Sequence, residues 1–350
     1  TGQDLLRTRL RTGNFSKYPF AGSNTPFKIE KAEDWNDAVQ LDRLYYTFPV
    51  GKNKNTKLTI GALIRNTEMA WLATAYKDDV LDVTSTVGTT GVYNKATGQG
   101  IGVQWKQNVA KGKPAFIFNA NYVVSGKCES TLNGGVAGCV GDYGTTGKNG
   151  QAGASSGSGV FNSESGINVM TQVGYKANNW GAALGYRYGT TGTFMRDGNG
   201  PASNVLLGNQ SSNSVAFNTY WQPLKTGWIP SVSGGYGYNF VSGDSTTTKN
   251  VTTGAISSKS WMVGFQWDDA FIKGNAAGMM VAQPSYGACS GSQCNPFLVQ
   301  WFYRVQATDN ISITPTLFYG TGIANATSSV NSTGSIFSGL GGVIQTTFRF

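Results

Sequence analysis

The feature that most constrains this chain is an alternation of apolar and polar residues with period two, repeated along nearly its whole length. Trp261, Val263, Phe265 and Trp267 share one parity, and Met262, Gly264 and Gln266 the other. Phe297, Val299, Trp301, Tyr303 and Val305 alternate with Leu298, Gln300, Phe302, Arg304 and Gln306. Leu58, Ile60, Ala62 and Ile64 stand against Lys57, Thr59, Gly61 and Arg65. Period two sends successive side chains to opposite faces of a strand. It predicts fourteen strands, near 4–12, 38–50, 56–65, 99–108, 114–124, 167–175, 179–188, 213–222, 228–241, 258–267, 274–283, 296–307, 310–320 and 336–350. A hairpin hidden within 66–98 or 125–163 would raise the count to sixteen.

The links between these strands are sorted by length. Segments 51–55, 109–113, 176–178, 223–227, 268–273 and 308–309 are short; 13–37, 66–98, 125–163, 189–212, 242–257, 284–295 and 321–335 are long, and the two kinds alternate strictly. A sandwich has no reason to sort its loops by side. A transmembrane antiparallel β-barrel does, with short periplasmic turns at one rim and long external loops at the other. Trp105, Trp180, Trp221, Trp228 and Trp267 fall at the short-turn rim on the apolar parity, while Tyr186, Tyr188, Tyr236, Tyr238 and Phe240 fall at the opposite rim. Aromatics gathered at two depths mark the two interfaces of a bilayer. The fold expected is therefore all-β, with residues 1–350 as one barrel domain.

Composition narrows the chemistry. Charged residues make up 13% of the chain, about half the share of an average soluble domain. The chain has no histidine, which removes Ser-His-Asp and Cys-His catalysis and most zinc and iron sites. No catalytic residue, metal or cofactor is expected. Cys128 and Cys139, and Cys289 and Cys294, form two close pairs in Gly/Ser-rich segments. Their spacing suits two local disulfides in an oxidising compartment better than zinc. No signal peptide opens the chain, so an exported protein is expected to have lost its N-terminus or to be recorded without it.

The formal net charge is +9, and parity says where it goes. Arg7, Arg9, Arg11, Arg43, Lys57, Arg65, Lys106, Arg187, Arg304 and Arg349 all fall on the polar face; Asp4 and Asp42 are the charges assigned to the apolar one. A base facing mid-bilayer lipid costs roughly 2–4 kcal/mol, so the ten are expected to line the lumen. No acid in the strand spans is expected to face inward. A nucleic-acid groove would mix bases with stacking aromatics on one face; here parity separates them, and no nucleic-acid partner is expected. Arg7, Arg9 and Arg11 can be read as a ladder for small anions or as ion-pair partners of acids on loops folded inside. Two loops could fill the lumen. In 66–98, Met69 to Tyr76 reads as a short helix or folded-in piece, with Glu68, Asp78, Asp79 and Asp82 supplying acidity; 125–163 is the other candidate. With the fourteenth strand closing beside the first, the arginines at 7, 9, 11, 43 and 349 are expected to form one patch.

Two stretches carry a family likeness. The opening, Thr1-Gly2-Gln3-Asp4-Leu5-Leu6-Arg7-Thr8-Arg9-Leu10-Arg11-Thr12-Gly13-Asn14-Phe15, resembles the start of the barrel domain in cyanobacterial Som-type major outer-membrane porins, the so-called iron-uptake porins related to the carbohydrate-selective family. The end, Thr346-Thr347-Phe348-Arg349-Phe350, is similar to the general outer-membrane signature. The resemblance implies a homotrimer in a Gram-negative type outer membrane, in contact with lipid and lipopolysaccharide. It also implies an S-layer-homology domain ahead of residue 1, tethering the barrel to peptidoglycan or another cell-wall polymer, and passive exchange of ions and small solutes. The inward aromatics Tyr45, Tyr220, Phe302 and Phe318 are scattered and form no sugar-stacking ladder, and nothing in the wall speaks for iron. A diffusion porin is expected first; a sugar- or anion-selective porin and a plugged barrel serving as an anchor are the alternatives.

Overall fold

A computed structural model describes residues 4–16, 19, 28–33, 35–78, 80–125, 166–190, 193, 211–242, 256–284, 296–324 and 336–350. Among the described residues, fourteen strands form one antiparallel sheet in chain order. They are β1 (Leu5–Arg11), β2 (Gln40–Val50), β3 (Thr56–Arg65), β4 (Thr97–Lys106), β5 (Ala115–Ser125), β6 (Gly166–Lys176), β7 (Trp180–Gly189), β8 (Ser211–Trp221), β9 (Ser231–Ser242), β10 (Ile256–Asp268), β11 (Ala276–Gln283), β12 (Phe297–Thr308), β13 (Ile311–Ala324) and β14 (Ile336–Phe348). Each overlaps its expected range, with no end displaced by more than four residues. Between neighbouring strands the ladders pair the backbone groups, as a membrane-spanning sheet requires.

Alternation holds around the wall. Outward residues such as Ile60, Phe116, Leu184, Phe217, Tyr236, Trp301 and Leu317 are exposed, while their inward neighbours are buried. Trp180 and Trp221 stand opposite each other in the β7–β8 ladder at the short-turn rim. Tyr186, Tyr188, Tyr236, Tyr238 and Phe240 are exposed toward the other rim. No helix among the described residues is long and apolar enough to cross a membrane; the strands do the crossing.

Three departures from strict parity have local causes. In the β1–β2 ladder Arg9 faces Arg43 and Leu10 faces Leu41, so Asp42 is an extra, bulged residue. A bulge adds one residue to one strand and re-aims its side chains. Asp42 is thereby buried inside with Arg43, and the expectation that no strand acid faces inward is corrected. A shift between Gly61 and Ile64 in the β3–β4 ladder turns Ile64 inward, where it is fully buried beside Met69 and Val123. Lys259, opposite Tyr238 in β10, is an exposed charge on the outward parity near the long-loop rim; it lies within the expected strand 258–267 and corrects the assignment of Asp4 and Asp42 as the charges of that face. The expected closure also differs. β1 and β14 are the sheet's two edges and share no ladder among the described residues.

The interior is filled by the chain between β3 and β4. It starts with a 3-10 turn (Asn66–Met69), runs without regular structure to Asp78, forms one short helix, α1 (Asp82–Ser85), and returns through turns to Ala96. Met69 to Tyr76 is thus a folded-in piece and not a helix. Part of the segment between β1 and β2 joins it: Ile29 bridges Leu81, Glu30 N–H donates to Val80 O at 2.7 Å, and Asp82 N–H donates to Lys28 O at 2.9 Å.

Candidate functional site

The inserted segment is seated on the wall at glycines. Trp71 lies over Gly174 and Gly181; a Cβ at Gly174 would come within 2.7 Å of its ring. Tyr76 lies as close over Gly264, and Met69 sits against Gly102. Inward-facing polar side chains then satisfy its backbone. Trp71 N–H donates to Gln172 Oε1 at 3.0 Å and Gln172 Nε2 donates to Trp71 O at 2.6 Å. Ser233 Oγ accepts from the N–H groups of Ala75 (2.8 Å) and Tyr76 (3.0 Å), and Gln266 Oε1 accepts from Lys77 N–H at 2.7 Å. Higher up, Arg187 is fully buried and donates to Gly91 O at 2.6 Å, to Asn168 Oδ1 at 3.0 Å and to Ser212 Oγ at 2.9 Å. Buried polar groups in a wall are tolerable only when paired in this way.

The four inward aromatics each lie opposite a glycine in the neighbouring strand: Tyr45 with Gly61, Tyr220 with Gly181, Phe302 with Gly278 and Phe318 with Gly341. All four are buried. Their rings fill the space a side chain on the glycine would take, and they present no open stacking face.

A cluster of charges locks the first strands to the inserted loops. Arg43, fully buried, donates from Nε to Glu68 Oε1 at 2.9 Å and from Nη1 to Asp42 Oδ1 at 2.9 Å. Tyr45 donates to Glu68 Oε2 at 2.5 Å, and Arg7 donates to Tyr45 Oη at 3.3 Å. Arg9 pairs with Asp42, and Arg11 with Glu33 at 2.6 Å. A second group holds the two loops to each other: Lys95 pairs with Glu30 and with Asp82 (2.6 Å), and Arg65 reaches Glu30 at 3.7 Å. Burial works against the charge of Glu30, but Lys95, Lys28 and Arg65 outweigh it and hold its carboxyl well below the usual range. Glu68 is lowered in the same way: the Tyr45 hydrogen bond and the charges of Arg43 and Arg7 overcome its desolvation.

The ten bases singled out by parity therefore meet different fates. Arg7, Arg9, Arg11 and Arg43 come together, and Asp42, Glu68 and Glu33 stand among them. Arg65 and Arg187 are buried under the inserted segment. Lys57 and Lys106 are exposed near the short turns. Arg304 and Arg349 line a solvent-open cavity of about 280 Å³ beside β12–β14. Arg349 thus shares a cavity with Arg304, while β14 and β1 share no ladder among the described residues. Parity could not find Lys31 and Lys77, which reach the same cavity from the two inserted loops. Among the acids flagged in 66–98, Glu68 and Asp82 are engaged as described, Asp78 lines the cavity and accepts from Gln300, and Asp79 lies outside the described residues. Cys128, Cys139, Cys289 and Cys294, and the candidate loop 125–163 beyond Ser125, also lie outside them.

Comparisons with known proteins agree with this architecture. OprB of Pseudomonas putida, in its high-pH structure, matches 99% of this chain and 83% of its own, with a TM-score of 0.54 at 11% identity. An anion-selective porin from Comamonas acidovorans matches 89% of this chain and 80% of its own, with a TM-score of 0.50 at 10% identity. This chain has the fold of an outer-membrane porin barrel. By sequence it is similar to an uncharacterized protein of Nostoc sp., 26% identical over the whole chain, and to one of Synechocystis sp., 21% identical over 90% of it. The chain spans 58% and 56% of the lengths of these relatives. No family model matches.

Proposed function

We propose that this chain is the pore domain of an outer-membrane porin that lets inorganic ions and small hydrophilic solutes diffuse passively, without catalysis or cofactor. One observation carries this reading. The inserted segment packs against the wall from β2 to β12 and shares a hydrophobic cluster with Phe318 of β13 and Val343 of β14, yet a polar, water-accessible cavity persists at the short-turn end of β12–β14. A barrel evolved only to be plugged has no need to keep that end wet.

The two porin neighbours support the class of function through the fold alone, and the Nostoc and Synechocystis relatives support a cyanobacterial outer membrane as its setting. The homotrimer, the contacts with lipopolysaccharide and the cell-wall-binding domain ahead of residue 1 rest on the resemblance of the opening residues. Of the selective alternatives, sugar transport is disfavoured because the inward aromatics are pressed onto glycines and cannot stack on a pyranose. The competing plugged-anchor reading draws on the near-complete burial of residues 80–96.

Incorporation of the purified protein into planar bilayers in KCl decides between them. Discrete, ohmic conductance steps are the expected result. A correctly folded, heat-modifiable barrel that passes no current would establish the plug instead.

A further inference from the structure

Four bases from four distant parts of the chain converge on the cavity beside β12–β14. Lys31 comes from the segment before β2, Lys77 from the segment after β3, Arg304 from β12, and Arg349 from just past β14. Neither the Arg304 nor the Arg349 side chain has an acidic partner among the described residues, whereas the arginines of β1 and β2 all do. Lys77 shares its charge with Asp268 at 2.9 Å. Asp78 is the one acid among the described residues of the lining; it is buried and takes a hydrogen bond from Gln300.

The wall between the two arginines is made of neutral hydrogen-bonding groups. Ser312 faces Thr347, and Thr314 faces Gln345, in the β13–β14 ladder. All four side chains line the same cavity. Hydroxyl and amide donors between two guanidiniums suit a multivalent oxyanion: several acceptor oxygens at fixed angles can each find a donor, and guanidinium presents paired N–H groups to two of them. A spherical halide has no paired acceptor oxygens to match the guanidinium fork and gains less from the same geometry.

We infer that this cavity is a binding station for a small free oxyanion of the sulfate or phosphate class on its way through the pore. The inference rests on the open-pore reading above and gives it a substrate class. The site is built to hold and then release. Its bases stand in contact with water, and buried Asp78 opposes permanent occupancy. A station along a pore must bind well enough to attract the ion and weakly enough to let it go.

Sulfate block of chloride current in phosphatidylcholine bilayers tests this. Sulfate added on the short-turn side is expected to reduce the wild-type chloride current, and equivalent nitrate is not. Arg304→Gln with Arg349→Gln is expected to raise the half-blocking sulfate concentration about tenfold, the loss of two water-exposed, screened charge contacts. Equal block by nitrate and sulfate, or unchanged block in the double variant, would overturn the station. Block that needs added anionic lipid would assign the cavity to a headgroup and overturn it too. If the folded barrel passes no current, the pore reading fails by itself. Equilibrium dialysis of labelled sulfate against the detergent-solubilised protein then decides the station: retention lost in the double variant supports it, and no retention by the wild type ends it.

Discussion

The lumen has two sides lined by the same kind of residue, and they behave in opposite ways. On the β1–β2 side, Arg7, Arg9, Arg11 and Arg43 meet Asp42, Glu68 and Glu33, and their charge is spent holding loops in place. On the β12–β14 side, Arg304 and Arg349 face water across a wall of hydroxyls and an amide. Strand parity is the same for both sets. What differs is what stands opposite. Buried ion pairs are costly to desolvate and are weak sources of stability, but breaking one partner away leaves a charge that the interior cannot tolerate. The first set therefore acts as a latch, and the second is left to act on solutes.

Removing the inserted segment would break this contrast most completely. Arg65 and Thr97 are ladder partners, so replacing residues 68–95 by a turn of about four residues leaves the strand pairing feasible. Conductance is expected to rise several-fold, and anion preference with it, because Arg7 and Arg43 lose Glu68. An unchanged conductance would mean that the segment does not obstruct the pore. A smaller effect is expected from Arg187→Leu, which strands Gly91 O, Asn168 and the serine hydroxyls in a dry interior. A loss of about 3 kcal/mol is expected, read as a lower urea midpoint for loss of heat-modifiable mobility, with the sulfate block unaltered.

Acid sharpens the comparison at the small end of the scale. The Glu30 and Glu68 carboxyls are held below their ordinary values, so their stabilising pairs are complete at neutral pH and persist through mild acid. The stabilisation is lost only as the pH falls through those depressed values. Single-channel conductance is therefore expected to stay flat on acidification past about pH 4.3, the ordinary glutamate value, and to become noisy or larger only below it. A step centred at or above that value would show that the pairs are not the latch.

Much of the wall was legible in the sequence because each strand carries its own period-two record. Bulges were not legible, since one extra residue leaves the local pattern intact while reversing its meaning. Asp42 sits beside Arg43 in a strand that reads as regular, and only the β1 register shows that both point inward. The contents of the lumen were half legible. The acids of 66–98 marked that segment as a partner for the arginines, and Glu68 fulfils it. Glu30 and Glu33 went unremarked, although Lys28-Ile29-Glu30-Lys31-Ala32-Glu33 is the densest mixed-charge run in a charge-poor chain. Inward-parity glycines at 102, 174 and 264 were a further signal: a bare patch of wall implies something packed on it. The surroundings of Arg349 depend on three-dimensional neighbours, Lys31 and Lys77 among them, that no local pattern records.

The central claim is that water reaches the lumen wall at the short-turn end of β12–β14 and is excluded beneath the inserted segment. Single cysteines in a background with the four native cysteines replaced by serine test it most directly, with a membrane-impermeant thiol reagent applied while current is recorded. Ser312→Cys and Thr347→Cys place the thiol on the cavity wall, and Asn218→Cys and Ser260→Cys place it where the side chain is fully buried. The account predicts that the reagent cuts the current through the first pair and leaves the second unchanged. Modification at 218 and 260 with no effect at 312 and 347 would put the pore on the wrong side of the lumen.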